Sequence, residues 1–594
     1  MLCIPFLFIL FATFTRLSLS LYNLYFGTIA PLEIPGILLL GFLFDLKPTF
    51  IFAFIAMILE KFLPKRLYLS LPFIFIALFF LTFQFFAEWT FWVDMDARFN
   101  FIAVDYLIYT KEVINNIRQS YPMNTYFALM ALVACGGTFL VHRFFPKIIP
   151  PSFKRFALPC AIVLILPAPR WSQNNFAQEL SENGTSNFVQ AYFHNQLNYI
   201  QFYKTVSKET LHQKLTNFIP MERAVSIDPI ARKVPSFVEK RKLNVVLIVV
   251  ESLSQEFLDK GWTPFVSELE KETISLKDHY ATGTRTVKGL EALSLSVPPT
   301  PGTSILRRPH NRNLYTIASV LKPEGYEMLF WYGGYGYFDN MNAFFGKNSF
   351  NVKDRLSIPS EKVEHETVWG VSDEHLLDAF IEDVENRKTT DPFFALIMTT
   401  SNHRPYTFPK NRISMPQGTR EAAVRYTDWA IQRFFEKVRT LPWFENTLFV
   451  ITADHCASSA GKLTIDPSKY HTPCLFYAPN HLSPQLVTTR TSQIDVAPTI
   501  LGLLGISYES RFYGVDQIHT PLDRPVPIGT YQRLGFYGSE GLVILSPKRE
   551  VATYATTPDG NLEKVSSSPL TEDAISLYQS AYERYTTGLM NANL

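Results

Sequence analysis

The sequence predicts an N-terminal multi-span α-helical membrane domain followed by an α/β domain built on an open sheet. Three observations carry that prediction. Residues 1–60 hold only five charged side chains, Arg16, Glu33, Asp45, Lys47 and Glu60. Apolar stretches in the first third of the chain reach the roughly 20 residues that a helix needs to cross the hydrocarbon core. From Asn244 onward, short and wholly apolar runs alternate with amphipathic helical stretches, the pattern of a sheet with buried parallel strands. A length of 594 residues suits two or three domains. An apolar content of 47% with 18% charged residues excludes a disordered or low-complexity chain. The formal net charge of +2 gives no basis for binding nucleic acid. The five cysteines are too scattered for a disulfide framework or a cysteine-based zinc site.

Four apolar stretches are plain, at 4–26, 33–60, 68–88 and 124–144, and a shorter fifth lies at 152–167. The second is broken by Asp45, Lys47 and Pro48; it reads as one span with a polar break, with two half-spans as the rival. The first is long, lacks a basic leading region and is followed by further spans, which argues against a cleaved signal peptide. Lys61, Lys65 and Arg66 follow the second stretch, and Arg143, Lys147, Lys154 and Arg155 follow the fourth. The positive-inside rule puts both links in the cytoplasm, so five spans place everything after about residue 169 outside. Between spans, residues 89–123 mix aromatics and charges at near-helical spacing, as do residues 176–206, which suits helices lying in the membrane interface.

In the C-terminal half, NVVLIVVES (244–252), FFALIMTT (393–400), TLFVITAD (447–454) and EMLFWYGG (327–334) read as buried strands. Helical stretches at 263–271, 314–321, 372–385 and 420–439 lie between or beside them. Open α/β sheets bind ligands at the carboxyl ends of their strands. At those ends stand Glu251-Ser252, Asn402-His403 and Asp454-His455. One carboxylate after a strand is ordinarily a helix cap or turn residue. Three such ends together, with an Asp-His pair among them, point to a mixed oxygen and imidazole site for Mn²⁺, Zn²⁺ or Mg²⁺.

The blocks VVLIVVESLS, GTRTVKGLEALSLSVPPTPGTSILRRP (283–309), SNHRPY (401–406), ITADHC (451–456) and SQIDVAPTILGLLG (492–505) stand in an order that resembles the lipoteichoic acid synthase-like phosphoglycerol transferases. That family lies within the sulfatase/alkaline phosphatase superfamily, and residues 98–122 look like its Gram-negative branch. The resemblance implies an extracytoplasmic domain with an alkaline phosphatase/sulfatase-like sheet. It also implies one divalent metal, Mn²⁺ ahead of Zn²⁺ or Mg²⁺, held by Glu251, Thr286, Asp454 and His455. Thr286 would be the nucleophile and His403 a head-group contact. Arg285 and Lys288 flank the nucleophile as counter-charges for a phosphate, with a solvated loop as their alternative. His471 stands just before another apolar run, either behind the ligands, at a second metal, or as a structural histidine. Thr284 is a second hydroxyl that chemistry alone does not separate from Thr286.

The chain departs from the family pattern in two places. Tyr335 and Tyr337 stand where relatives carry an acidic and a basic residue, and Cys456 replaces a glycine after the Asp-His pair. A threonine hydroxyl needs a metal or a base to become a nucleophile. The function expected is transfer of phosphoglycerol from a phospholipid such as phosphatidylglycerol to a glycan or lipid-linked hydroxyl, through a phospho-threonine. The alternatives are phosphoethanolamine transfer and a non-catalytic membrane scaffold. A true sulfatase is disfavoured, because residues 283–289 lack the Cys/Ser-x-Pro-x-Arg pattern. The expected location is the bacterial inner membrane, multi-pass, with the catalytic domain periplasmic. The expected layout is a five-span domain (1–170) with interfacial helices at 89–123, juxtamembrane linker helices (171–240), a catalytic domain (241–525) and a C-terminal subdomain (526–594).

Overall fold

A computed structural model describes residues 3–62, 67–100, 103–104, 110–144, 171–193, 197–219, 228–458 and 461–593. The chain forms two compact units, Met1–Asn195 with Ala460–Asp466, and Gln196–Ser459 with Pro467–Leu594.

In the first unit, apolar composition gives long helices at Cys3–Tyr25, Ile34–Phe62, Leu67–Met95 and Met123–Phe144. Among the described residues these four are long and apolar enough to cross a membrane. The fifth stretch, 152–167, lies outside the described residues. Ile34–Phe62 is continuous through Pro48, so the polar break does not divide it. Its physical reason is an ion pair: Arg16 donates two hydrogen bonds to Asp45 at 2.7 and 2.8 Å. Both side chains are 0% exposed. Asn183 donates to the same carboxylate at 2.7 Å, and the Arg16 Nε donates to the Leu180 carbonyl at 3.1 Å. Gly41 makes room, since a Cβ there would lie 2.0 Å from that Nε. The third helix runs on through Met95, so residues 89–95 continue it; a separate polar helix, Thr110–Ser120, follows.

The second unit is built on an eight-stranded sheet of β1 (Asn244–Val250), β2 (Ile274–Tyr280), β3 (Glu327–Tyr332), β4 (Asn351–Lys353), β5 (Phe393–Met398), β6 (Thr447–Ala453), β7 (Cys474–Tyr477) and β8 (Gln485–Ser492). Their spatial order is β8-β2-β7-β6-β1-β5-β3-β4. Only β7 runs against its neighbours, so the other seven strands deliver their carboxyl ends to one edge. β1, β5 and β6 are buried at every position, which explains their unbroken apolar sequences. Helices Asp373–Glu385 and Arg420–Val438 pack apolar faces against them. Residues 526–565 add five antiparallel strands in sequential order, followed by helix Thr571–Thr586.

Asp45→Ala should cost about 3–5 kcal/mol of stability, because it leaves the Arg16 charge buried without a partner. The double variant Arg16→Met with Asp45→Leu should cost less than either single change. Thermal melting of the solubilised full chain measures both.

Candidate metal and nucleophile site

The register of the sheet builds the site. Val250 of β1 pairs with Ala453 of β6 in a parallel ladder, so the next residue of each strand, Glu251 and Asp454, stands beside the other. Glu251 is 6% exposed and Asp454 is 0% exposed. On the other side of β1, Val249 pairs with Met398 of β5. The residues after β5 then brace Glu251: the Thr399 hydroxyl accepts the Glu251 N–H at 3.0 Å, and Asn402 Nδ2 donates to the Glu251 carbonyl at 3.0 Å. Gln493 braces Asp454 in the same way, donating to the carbonyls of Ala453 and Asp454 at 2.8 and 2.9 Å.

His455 completes the group. Its Nδ1 lies 2.7 Å from the Cys456 carbonyl, a contact that needs the proton on Nδ1 and leaves the Nε2 lone pair as the ligand atom. Nε2 is 3.4 Å from Asp454 Oδ2 and 3.7 Å from Glu251 Oε1. One ligand atom from each of the three residues lies within 4.8 Å of the others.

Thr286 arrives from β2. That strand ends at Tyr280, and the loop after it opens helix Thr286–Leu295 at Arg285. The Thr286 hydroxyl donates to Glu251 Oε2 at 3.4 Å. Gly289 lets this helix lie against the metal-ligand turn: a Cβ there would sit 2.1 Å from the Asp454 carbonyl oxygen. The structure therefore brings together Glu251, Thr286, Asp454 and His455. For Thr284, two residues earlier, it shows no such contact with the cluster.

The residues present fit a cation. Asp454 Oδ2 is buried with no hydrogen-bond partner. Burial, and then the neighbouring Asp454 charge, raise the Glu251 carboxyl above its ordinary value. Two buried carboxylates side by side call for a positive counter-charge.

His403 lies at the same edge, its ring centroid 4.0 Å from that of Trp369. Burial pushes its pKa down to about 4, the Glu251 charge opposing this and the nearby Arg420 and Arg285 charges adding to it. Arg285 and Arg420 therefore lie close enough to supply positive potential there. Lys288 is engaged elsewhere. Its ammonium is buried and donates to the Thr300 carbonyl at 2.9 Å, with Glu291 at 3.4 Å. Burial lowers its pKa to about 8. The reason is geometric: Lys288 sits two residues into the helix, facing the loop that Glu291 also ties down through the Ile305 N–H at 2.7 Å. His471 is a framework residue: its Nε2 bonds the Lys277 carbonyl at 2.9 Å and its ring stacks on Tyr280. The Cys456 thiol donates to the His471 carbonyl at 3.1 Å, and burial raises its pKa to about 12. That leaves it a neutral donor. Tyr335 and Tyr337 lie near one another, ring centroids 5.9 Å apart, with Tyr337 exposed.

Residues 243–506 match the Sulfatase family model. Phosphoglycerol transferase I of Xanthomonas campestris pv. campestris is 25% identical over 289 residues, covering 45% of this chain and 41% of that protein. The lipoteichoic acid synthase-like YvgJ of Bacillus subtilis is 22% identical over 299 residues, covering 44% of this chain and 47% of that one. The matched region thus spans less than half the length of either relative. An alkaline phosphatase superfamily protein from Vibrio parahaemolyticus superposes with a TM-score of 0.63 at 28% identity, over 66% of this chain and 100% of that one. The lipoteichoic acid synthase LtaP of Listeria monocytogenes shares the fold, with a TM-score of 0.51 at 18% identity over 64% of this chain and 98% of that one.

Chelating divalent metal should lower the melting temperature at neutral pH. The sign follows from Glu251. A carboxyl whose pKa is raised on folding binds its proton more tightly in the folded state, so the metal-free protein loses stability as pH rises through about 4.3 and above. The difference between chelated and metal-loaded protein should therefore shrink towards acid pH, and Glu251→Gln should flatten it. Lys288→Met should leave metal binding intact; isothermal titration checks that.

Proposed function

Because residues 243–506 match the Sulfatase family model, we propose that the chain is a membrane-anchored, metal-dependent transferase. It moves phosphoglycerol from a phospholipid such as phosphatidylglycerol to a glycan or lipid-linked hydroxyl, through a covalent phospho-threonine at Thr286. The observation that carries this is the Thr286 hydroxyl at a helix N-terminus, 3.4 Å from a Glu251 oxygen within a Glu-Asp-His cluster. The names of the relatives supply the group transferred. Four long apolar helices suit a donor that is itself a lipid.

The chemistry follows from these residues. Glu251, Asp454, His455 and Thr286 would hold one divalent ion, with Mn²⁺ favoured and Zn²⁺ or Mg²⁺ as alternatives. When bound, such an ion withdraws charge from the threonine oxygen and favours its ionised form. Thr286 Oγ1 attacks phosphorus, the P–O bond to diacylglycerol breaks, and diacylglycerol leaves with a proton. An acceptor hydroxyl then attacks the same phosphorus, and the bond to Thr286 breaks, restoring the hydroxyl. The helix N-terminus at Thr286 favours the anionic phosphoryl group. Arg285 and Arg420 add positive charge near it, and His403 beside Trp369 contacts the head group. Lys288 acts from behind, anchoring the helix rather than touching substrate.

On this reading the chain has five spans, and the positive-inside pattern then has this chemistry take place on the periplasmic side of the inner membrane. A reporter fused after Arg223 should be active only outside the cytoplasm; activity inside would reverse the topology. In phosphatidylglycerol vesicles, Thr286→Ala should lower diacylglycerol release by several powers of ten and still bind metal. Thr286→Ser should retain partial turnover, and Thr284→Ala should be mild. If Thr286→Ala turns over at the wild-type rate, this assignment is wrong.

A further inference from the structure

Resting on the cation site proposed above, we infer that Ser252 is a positioning residue. It anchors one oxygen of each carboxylate, which fixes how Glu251 and Asp454 are turned towards the cluster, and so favours small divalent cations over Ca²⁺.

The observation is an asymmetry at both carboxylates. The Ser252 hydroxyl donates to Glu251 Oε1 at 2.6 Å and takes one acceptor position of that oxygen, which also lies 3.7 Å from His455 Nε2; the other, Oε2, faces the Thr286 hydroxyl. The Ser252 N–H donates to Asp454 Oδ1 at 2.8 Å, joined there by the His455 N–H at 2.7 Å. Asp454 Oδ2, buried and without a hydrogen bond, is the oxygen left to the cluster. One residue therefore holds an oxygen of each carboxylate through two different groups, and its own side chain is buried.

Its backbone is strained for this purpose. Ser252 has φ +54°, in the left-handed region that glycine occupies more easily. Serine at such a position adds a hydroxyl at the cost of conformational strain, and that hydroxyl's partner is a metal-ligand carboxylate.

The consequence concerns selectivity. One oxygen each from Glu251 and Asp454, with His455 Nε2 and Thr286 Oγ1, make a four-donor set with one nitrogen, suited to Mn²⁺ or Zn²⁺. Ca²⁺ takes six to eight oxygens and commonly uses carboxylates with both oxygens at once. Releasing Glu251 from the Ser252 hydroxyl would let its carboxylate turn into that mode.

The test titrates MnCl₂ and CaCl₂ separately into metal-free, detergent-solubilised full-length protein by isothermal calorimetry. Wild type, Ser252→Gly and Ser252→Ala are compared, with melting temperatures taken without metal. Ser252→Gly relieves the strained backbone, so it should melt no lower than wild type. It should nonetheless bind Mn²⁺ about 10–100-fold more weakly, with Ca²⁺ binding unchanged or tighter. Ser252→Ala should show the same fall in the Mn²⁺/Ca²⁺ ratio and serves if the glycine variant does not fold. An unchanged ratio in the folded variants, including equal weakening of both cations, overturns the inference while leaving the cation site standing. A wild-type protein that takes up none of Mn²⁺, Zn²⁺ or Mg²⁺ overturns the cation site and this inference together.

Discussion

Two carboxylates forced side by side in the protein interior are the constraint on which the second unit depends. The parallel ladder that aligns Val250 with Ala453 leaves Glu251 and Asp454 adjacent at the sheet edge, almost wholly shielded from water. Burial and mutual repulsion both work against two negative charges there. The arrangement calls for positive charge between them or a proton on one of them. Apolar strands of unusual uniformity supply the rigidity that holds the pair together.

Around that pair the protein uses backbone hydrogen bonds as braces. Thr399 and Asn402 fix the turn after β1, Gln493 fixes the turn after β6, and Gly289 allows the Thr286 helix to approach the Asp454 carbonyl. None of these side chains needs to touch a substrate to matter. Each determines where an oxygen or nitrogen atom of the cluster points, and the distances between those atoms govern the chemistry. The first unit solves a similar problem differently: its buried charge at Asp45 is met by Arg16, inside helices that are otherwise apolar.

How much was legible in the sequence depended on burial. β1, β3, β5 and β6 are nearly all apolar because they are covered on both faces, and their boundaries could be read within a residue or two. β2 and β8 were missed, because strands as polar as ISLKDHY and QLVTTRTS carry exposed positions and no clean period. Glu251, Asp454 and His455 announced themselves as ionisable residues ending apolar runs. Ser252, Gln493 and Trp369 gave no such signal: a left-handed serine, an amide clamp and an aromatic in a short hairpin become meaningful only in three dimensions. The buried partner of Lys288, Glu291, was likewise not legible, since Lys288 stands in a loop-like basic sequence. The stretch around Asp45 reads as one span with a polar break, and what the sequence alone does not show is that Arg16, 29 residues away, pairs with that carboxylate.

The proposed chemistry turns on a covalent bond at one hydroxyl. Purified full-length protein incubated with glycerol-labelled phosphatidylglycerol, acid-quenched and digested, should yield the Thr286 peptide with a glycerol-phosphate adduct in its mass spectrum. Fragmentation should place that adduct on Thr286 itself. An adduct on Thr284, an adduct formed only from phosphatidylethanolamine, or diacylglycerol release with no labelled peptide would each contradict it.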